Sequence, residues 1–431
     1  MRLNYQRAIP AALWGAILAL LPSSGLSARQ PAAEKVTLDQ AISEALANNM
    51  ALAAERANIA IAEARVLTAR LRPNPVLSLG AGHQDLLGTG FDEINGAGPP
   101  EYAARTDFLL ERGGKRHARM AVAESGRSVA QSEFLDITRT TILDVQNAFL
   151  DALLAKANLT LAQENVQSLN QVVETNAERV RAGDLSEVEL IRSQLAALQY
   201  ENSVERAKLA LRSALIRLQV LLGRPQPSPS LDVEGEFRHD TATPSLPDLL
   251  AIARQSRPDL QALCLDEQRA AAELRLQVAQ GKVDYTLGAE YLRQQGVNGE
   301  GNSLGLYFSV PVPVFNRNQG EIERARLEQR QAQLRIRALE SVIAGELEDA
   351  YEQFMTARQL LEKIENRMLG PARDVRDIME FSYRHGDATL LELLDAERAF
   401  NETMQSHNEA RAEFARSQYL LDAISGRSVT K

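Results

Sequence analysis

The sequence predicts a mainly α protein with a small β part, in which a long helical hairpin of coiled-coil character occurs twice and each copy carries a pair of β-strands. Three observations carry this. The 16 prolines leave long gaps, with none between Glu101 and Arg224, none between Val314 and Gly370 and none after Pro371, and only such gaps admit long uninterrupted helices. The second half repeats the first. At an offset of 208, Leu38, Leu52, Ala64 and Leu79 fall on Leu246, Leu260, Ala272 and Leu287; at an offset of 203, Arg181, Gly183, Asp184 and Glu189 fall on Arg384, Gly386, Asp387 and Glu392. Between the helical stretches lie paired segments of alternating apolar and polar residues, the period of a strand with one buried face.

Residues 1–28 read as an export signal, with Arg2 and Arg7 ahead of an apolar run from Ala11 to Leu21 and small residues ending near Ala28. That run is too short to span roughly 30 Å of hydrocarbon as a helix, so cleavage is expected, leaving an extracytoplasmic chain with no lipid-anchor cysteine. The first repeat, 29–223, opens on a short helix capped by Thr37 and ending near Asn48 and Asn49. Strands follow near 76–83 and 103–110, with a Gly-rich loop at 84–100 between them. From Lys115 to Ala182 the only glycine is Gly126, which predicts a helix on the order of 100 Å long. Gly183 supplies the permissive backbone for a tight turn over 181–186, and Ser186 caps a returning helix that runs to Leu222.

A Pro/Ser-rich linker at 224–244 leads to the second repeat, 245–431. Its first helix starts at Ser245 and ends before Pro258. Strands near 284–292 and 304–312, separated by a polar loop at 296–303, precede a second long helix, a turn over 384–389 built on Gly386, and a return helix capped by Thr389.

A net charge of -9 argues against a nucleic-acid partner, which would need a basic face. The five histidines are scattered without metal-ligand spacing, and Gly113-Gly114-Lys115 lacks the upstream glycine of a phosphate loop, so neither a catalytic metal, a cofactor nor an enzymatic activity is expected. The single cysteine, Cys264, lies in a helical pattern and reads as a small buried apolar residue.

Strands of about ten residues with one apolar face suit a membrane β-barrel, but closure takes at least about eight strands, so four per chain would have to be shared between chains. A soluble antiparallel sheet capping a helical bundle satisfies the same pattern. So does a periplasmic coiled-coil scaffold.

The chain resembles the TolC-like outer membrane factors of tripartite efflux systems, and within them the cobalt-zinc-cadmium branch. The residues that carry the resemblance are Thr37-Leu38-Asp39-Gln40-Ala41, Leu71-Arg72-Pro73-Asn74-Pro75, Glu111-Arg112-Gly113-Gly114-Lys115-Arg116, the run from Pro311 to Gly320 and the two Gly-Asp turns. The Gly-Gly-Lys-Arg element points to the metal branch. The resemblance implies a homotrimer in which four strands per chain build one 12-stranded transmembrane β-barrel above an α-barrel of hairpins. It implies as partners the outer-membrane lipid, a periplasmic adaptor (membrane fusion protein) and an inner-membrane RND pump, with this chain a passive gated duct for divalent metal cations. Drugs, other organic compounds or a type I secretion substrate fit the same duct. By position, Tyr383, Glu392 and Asp395 match the family's closed periplasmic constriction. The two turns would be the adaptor-docking tips: Arg181, Gly183, Asp184, Leu185 and Ser186 in the first, Arg384, Gly386, Asp387 and Thr389 in the second. In the first repeat the matching positions hold Glu189 but Arg192, so the second hairpin would carry more of the acidic ring.

Overall fold

The structure, a computed structural model, describes residues 34–88, 90, 100–240, 242–296 and 299–427. The expected export signal and most of the 84–100 loop lie outside them. A three-residue strand β1 (Glu34–Val36) leads into α1 (Leu38–Asn48) and α2 (Met50–Arg70). Thr37 and Gln40 form a reciprocal capping box, Gln40 N–H to Thr37 Oγ1 at 3.4 Å and Thr37 N–H to Gln40 Oε1 at 3.0 Å. Asn49 ends one helix and starts the next, since its N–H reaches Ala45 O while its side chain accepts from Leu52 N–H.

Next come β2 (Val76–Gly82), β3 (Glu101–Leu110), α3 (Lys115–Ala182) and α4 (Glu187–Leu221). The second half runs β4 (Leu231–Val233), α5 (Leu246–Ser256), α6 (Pro258–Gln280), β5 (Tyr285–Gly296), β6 (Gly299–Ser309), α7 (Gln319–Arg367), α8 (Leu369–His385) and α9 (Leu390–Ile424). Two strands of the first half and two of the second form one antiparallel sheet in the order β2-β3-β5-β6. Among the described residues its outer strands, β2 and β6, have no neighbour on their far sides.

Four features depart from the sequence reading. β5 and β6 pair as far as Gly296 with Gly299, so most of the expected 296–303 loop is strand; its polar residues still alternate, and the ladder continues through them. The second long helix breaks at Met368 because Pro371 has no N–H for the Arg367 carbonyl and its ring crowds that turn. The linker holds β4, which pairs in parallel with β1, bringing the start of the first repeat onto its end. Cys264 is exposed rather than buried, because it lies on the open side of α6.

Each repeat packs its own core. Val145, Phe149 and Leu218 sit with Ala41, Ala45 and the two short strands in the first; Ile343, Leu347, Phe354 and Phe414 sit with Leu249 and Ala253 in the second. In each, the short opening helix lies across the hairpin that follows it. Phe354 stacks on Phe414 with centroids 5.5 Å apart, and truncating such a ring costs about 3–5 kcal/mol. Arg224 ties the first repeat together: it holds Glu44 (2.6 and 2.9 Å) and Glu34 (3.0 and 2.9 Å), and the resulting bonds lower the Glu34 pKa.

The two hairpins meet along α3 and α9, where a line of polar pairs crosses between them. Asp151 bonds Arg416 at 2.8 Å, Asn158 bonds Asn408 at 3.0 Å, Asn165 bonds Asn401 at 2.8 Å and Ser168 bonds Glu397 at 3.2 Å. The first three α3 positions are seven residues apart, so they form one stripe facing the other hairpin.

Candidate tip gate and strand sheet

Both tips use one backbone device. At the end of α3, Gly183 has φ +85°, its N–H reaches Val180 O and the Asp184 N–H reaches Arg179 O at 2.9 Å. At the end of α8, Gly386 has φ +83°, its N–H reaches Tyr383 O and the Asp387 N–H reaches Ser382 O at 2.9 Å. Glycine is required at both because a Cβ is strained in this conformation. Ser186 and Thr389 then cap the returning helices. Arg181, Asp184, Arg384 and Asp387 are exposed at the ends and Leu185 is half-buried. Arg384 is held by Glu380 one turn back.

The three expected constriction residues have different surroundings. Tyr383 is buried and latches the second hairpin to the first: its hydroxyl donates to Asn176 Oδ1 at 2.6 Å, and Arg179 donates to its carbonyl at 3.3 Å. Burial raises its pKa, partly offset by the Asn176 bond. Val172, Leu390 and Leu393 close around the ring. The Asn176 amide nitrogen, Nδ2, has no partner among the described residues, an orphaned donor that costs about 1–3 kcal/mol and makes the latch weaker than its contacts suggest. Glu392 is exposed, and its carboxylate accepts from the Thr389 N–H (2.8 Å) and hydroxyl (2.9 Å), completing a capping box that lowers its pKa. Asp395, one turn on, is exposed and lies 3.1 Å from Arg398.

Glu397, which sequence reasoning passed over, is buried at 6% exposure, where desolvation raises its pKa and Arg376 counters only in part. A carboxyl whose folded pKa is raised holds its proton better folded than unfolded. Its contribution to stability is therefore full below the ordinary value of 4.5 and is lost as pH rises through the folded pKa. Glu397→Gln should flatten the fall in melting temperature over that rise; an unchanged pH profile would count against this role.

The sheet has two unlike faces. Leu77, Leu79, Phe108, Leu287, Leu304 and Leu306 lie on one, and their side chains are substantially exposed. The other carries a polar quartet. Arg105 clasps Asp107 (2.9 and 3.1 Å) and lies 4.3 Å over the Tyr307 ring, whose hydroxyl donates to Glu290 at 2.8 Å. Gly288 leaves the room: a Cβ there would come within 2.5 Å of Asp107 Oδ1. Among the described residues, no group of three or more His, Cys, Asp or Glu could hold a metal ion, and no helix is long and apolar enough to cross a membrane.

The outer membrane efflux protein family matches residues 41–224 and 249–427, both halves of the duplication. The chain belongs to that family. It is 24% identical over 396 residues to the cobalt-zinc-cadmium resistance protein CzcC of Cupriavidus metallidurans, covering 92% of this chain and 91% of that one. It is also 26% identical over 408 residues to the pyoverdine export outer membrane protein OpmQ of Pseudomonas putida, covering 88% and 83%. Among solved structures, CusC shares the fold with a TM-score of 0.74 at 18% identity, covering 90% of this chain and 92% of that one. VceC of Vibrio cholerae gives 0.71 at 19% identity, covering 90% and 96%. Membership fixes the coarse function. This efflux protein is an outer-membrane channel component of a tripartite system, not an enzyme.

Proposed function

We propose that the efflux protein assembles as a homotrimer whose three four-stranded sheets close into one 12-stranded β-barrel, and that it conducts divalent heavy-metal cations of the cobalt, zinc and cadmium type out of the cell. The observation that carries the assembly is the sheet itself. Its apolar side chains are exposed on one face, its polar quartet lies on the other, and among the described residues both outer strands lack partners. In hydrocarbon each unpaired backbone group costs several kcal/mol, and joining β6 of one copy to β2 of the next removes that cost with the apolar face toward lipid. A second exposed stripe supports the same assembly: Val188, Ile191, Leu195 and Leu198 on α4, spaced by three and four residues, form a coiled-coil seam without a partner in the single chain.

The helical hairpins then form the periplasmic tunnel, with the two Gly-Asp turns as docking tips for an adaptor that an inner-membrane pump feeds. Tyr383, Glu392 and Asp395 form the closed end. In a trimer, Glu392 and Asp395 bring six carboxylates near the axis, a field that gathers cations. Export would follow a signal cleaved near Ala28, without a lipid anchor.

The likeness to CzcC supports the metal substrate, and the likeness to the pyoverdine exporter supports a second reading, an organic or siderophore cargo in the same duct. Growth of a deletion strain on cobalt, zinc, cadmium, nickel, copper and silver salts, beside drugs, dyes and siderophores, separates the two. Sensitivity confined to divalent metals and reversed by the wild-type gene is the expected result; sensitivity to organic compounds alone overturns the metal cargo.

A further inference from the structure

The apolar face of the sheet ends, on the helical side, in an arginine held in place on an aromatic ring. Tyr285, the first residue of β5, shares that face with Leu287 and packs edge-on against Phe308 of β6, centroids 5.3 Å apart. Arg112 lies with its guanidinium 4.3 Å over the Tyr285 ring and donates to the Tyr285 hydroxyl. Its backbone is pinned as well, since the Arg112 N–H donates to Asp284 Oδ1 at 2.9 Å. Among the described residues Arg112 has no carboxylate partner. Asp284, just before β5, takes the Arg112 backbone N–H on one oxygen and gives its second oxygen to Lys115 at 2.7 Å.

The surroundings lean the same way. The four crossings between strands and helices, residues 70–75, 111–119, 281–284 and 311–319, hold eight Lys or Arg against two carboxylates, in a chain of net charge -9. Both carboxylates are occupied, Glu111 by Arg119 and Asp284 by Lys115. A positive collar therefore borders an apolar band at the depth where headgroups begin, since a tilted strand of about 9–11 residues spans the hydrocarbon. Beside it Val312 (77%) and Phe315 (91%) stand exposed on the β6–α7 connection.

We propose that Arg112, seated on Tyr285, binds the phosphate of an anionic phospholipid in the periplasmic leaflet of the outer membrane, one site per chain. A planar guanidinium presents paired N–H donors that match two phosphate oxygens, and the ring beneath holds it without using its remaining donors. The lipid's acyl chain lies along Phe308, Leu110 and Leu287, the face already turned to hydrocarbon. Net negative headgroups are preferred over zwitterionic ones because the collar carries uncompensated cations.

The proposal rests on the sheet's apolar face lying in the membrane. Trimers in nanodiscs of mixed phosphatidylglycerol and phosphatidylcholine would be released and their retained lipids counted by native mass spectrometry. Wild type should retain phosphatidylglycerol over phosphatidylcholine by roughly tenfold, a difference that Arg112→Gln reduces severalfold and Arg112→Lys reduces less. Arg206→Gln, which removes an exposed cation on α4 far from the sheet, should change nothing. Equal retention by wild type and Arg112→Gln overturns the proposal, as does displacement of the lipid by glycerol 3-phosphate, which would make the site one for free phosphate. Failure of wild type to insert as a trimer in any lipid overturns the barrel reading instead.

Discussion

Gly386→Val combined with Gly183→Val should abolish export while leaving trimers assembled. Both glycines hold φ near +84°, between the +83° and +85° of the two turns, in a region where a β-branched side chain is strained by at least about 1–2 kcal/mol each. The local space is not what forbids the change. A Cβ at Gly183 meets nothing within 4 Å, and one at Gly386 meets only the Arg179 guanidinium at 3.7 Å. The strain must therefore relax by altering the turn, which moves Asp184 and Asp387 off the carbonyls of Arg179 and Ser382. The two large hairpin cores lie far along the helices and only the small cluster around Tyr383 adjoins the turns, so trimer yield on a non-denaturing gel should match wild type. Resistance in the deletion strain should fall to the level of the empty vector. Full resistance with intact trimers would mean that the tips are not where the adaptor docks.

Glu392→Gln with Asp395→Asn should raise closed-state conductance in planar bilayers and weaken block by divalent cations added from the periplasmic side. The structure changes which substitution isolates the charge. Replacing Glu392 with Ala would also remove the capping box with Thr389, worth about 1 kcal/mol, and fray the start of α9. Gln keeps an oxygen for the Thr389 N–H and removes only the charge. The expected result is a severalfold weaker block, since in a narrow pore opposite charges at close range dominate ion occupancy. Unchanged block would take both carboxylates out of the constriction.

Much of the fold was legible because its determinants are local. Thr37, Ser186 and Thr389 announce helix starts by their own side chains, and Gly183 and Gly386 announce helix ends by the backbone they permit. Strand β5 could be read because Tyr285, Leu287, Ala289 and Tyr291 alternate with polar residues. What stayed hidden depends on pairs distant in sequence. Nothing near Leu231 signals that it will lie beside Glu34, and nothing near Asn176 signals that it will receive the Tyr383 hydroxyl. Glu392 is expected at the constriction by its position alone, and the structure shows its carboxylate committed to the Thr389 cap, an interaction that the Thr-x-x-Glu spacing itself could have disclosed. Arg105 and Glu290 were invisible as a unit because the register of β3 on β5 sets them opposite.

The seam between the hairpins has a thermal consequence. Within each hairpin the contacts are aliphatic and aromatic, and separating them would expose apolar surface with a large gain in heat capacity. Along α3 and α9 the hydrogen-bonded pairs are amides, a hydroxyl, carboxylates and a guanidinium, which water hydrates as each pair parts. Polar exposure lowers heat capacity where apolar exposure raises it. Parting these pairs therefore offsets part of the heat-capacity gain that exposing apolar surface between the hairpins would bring.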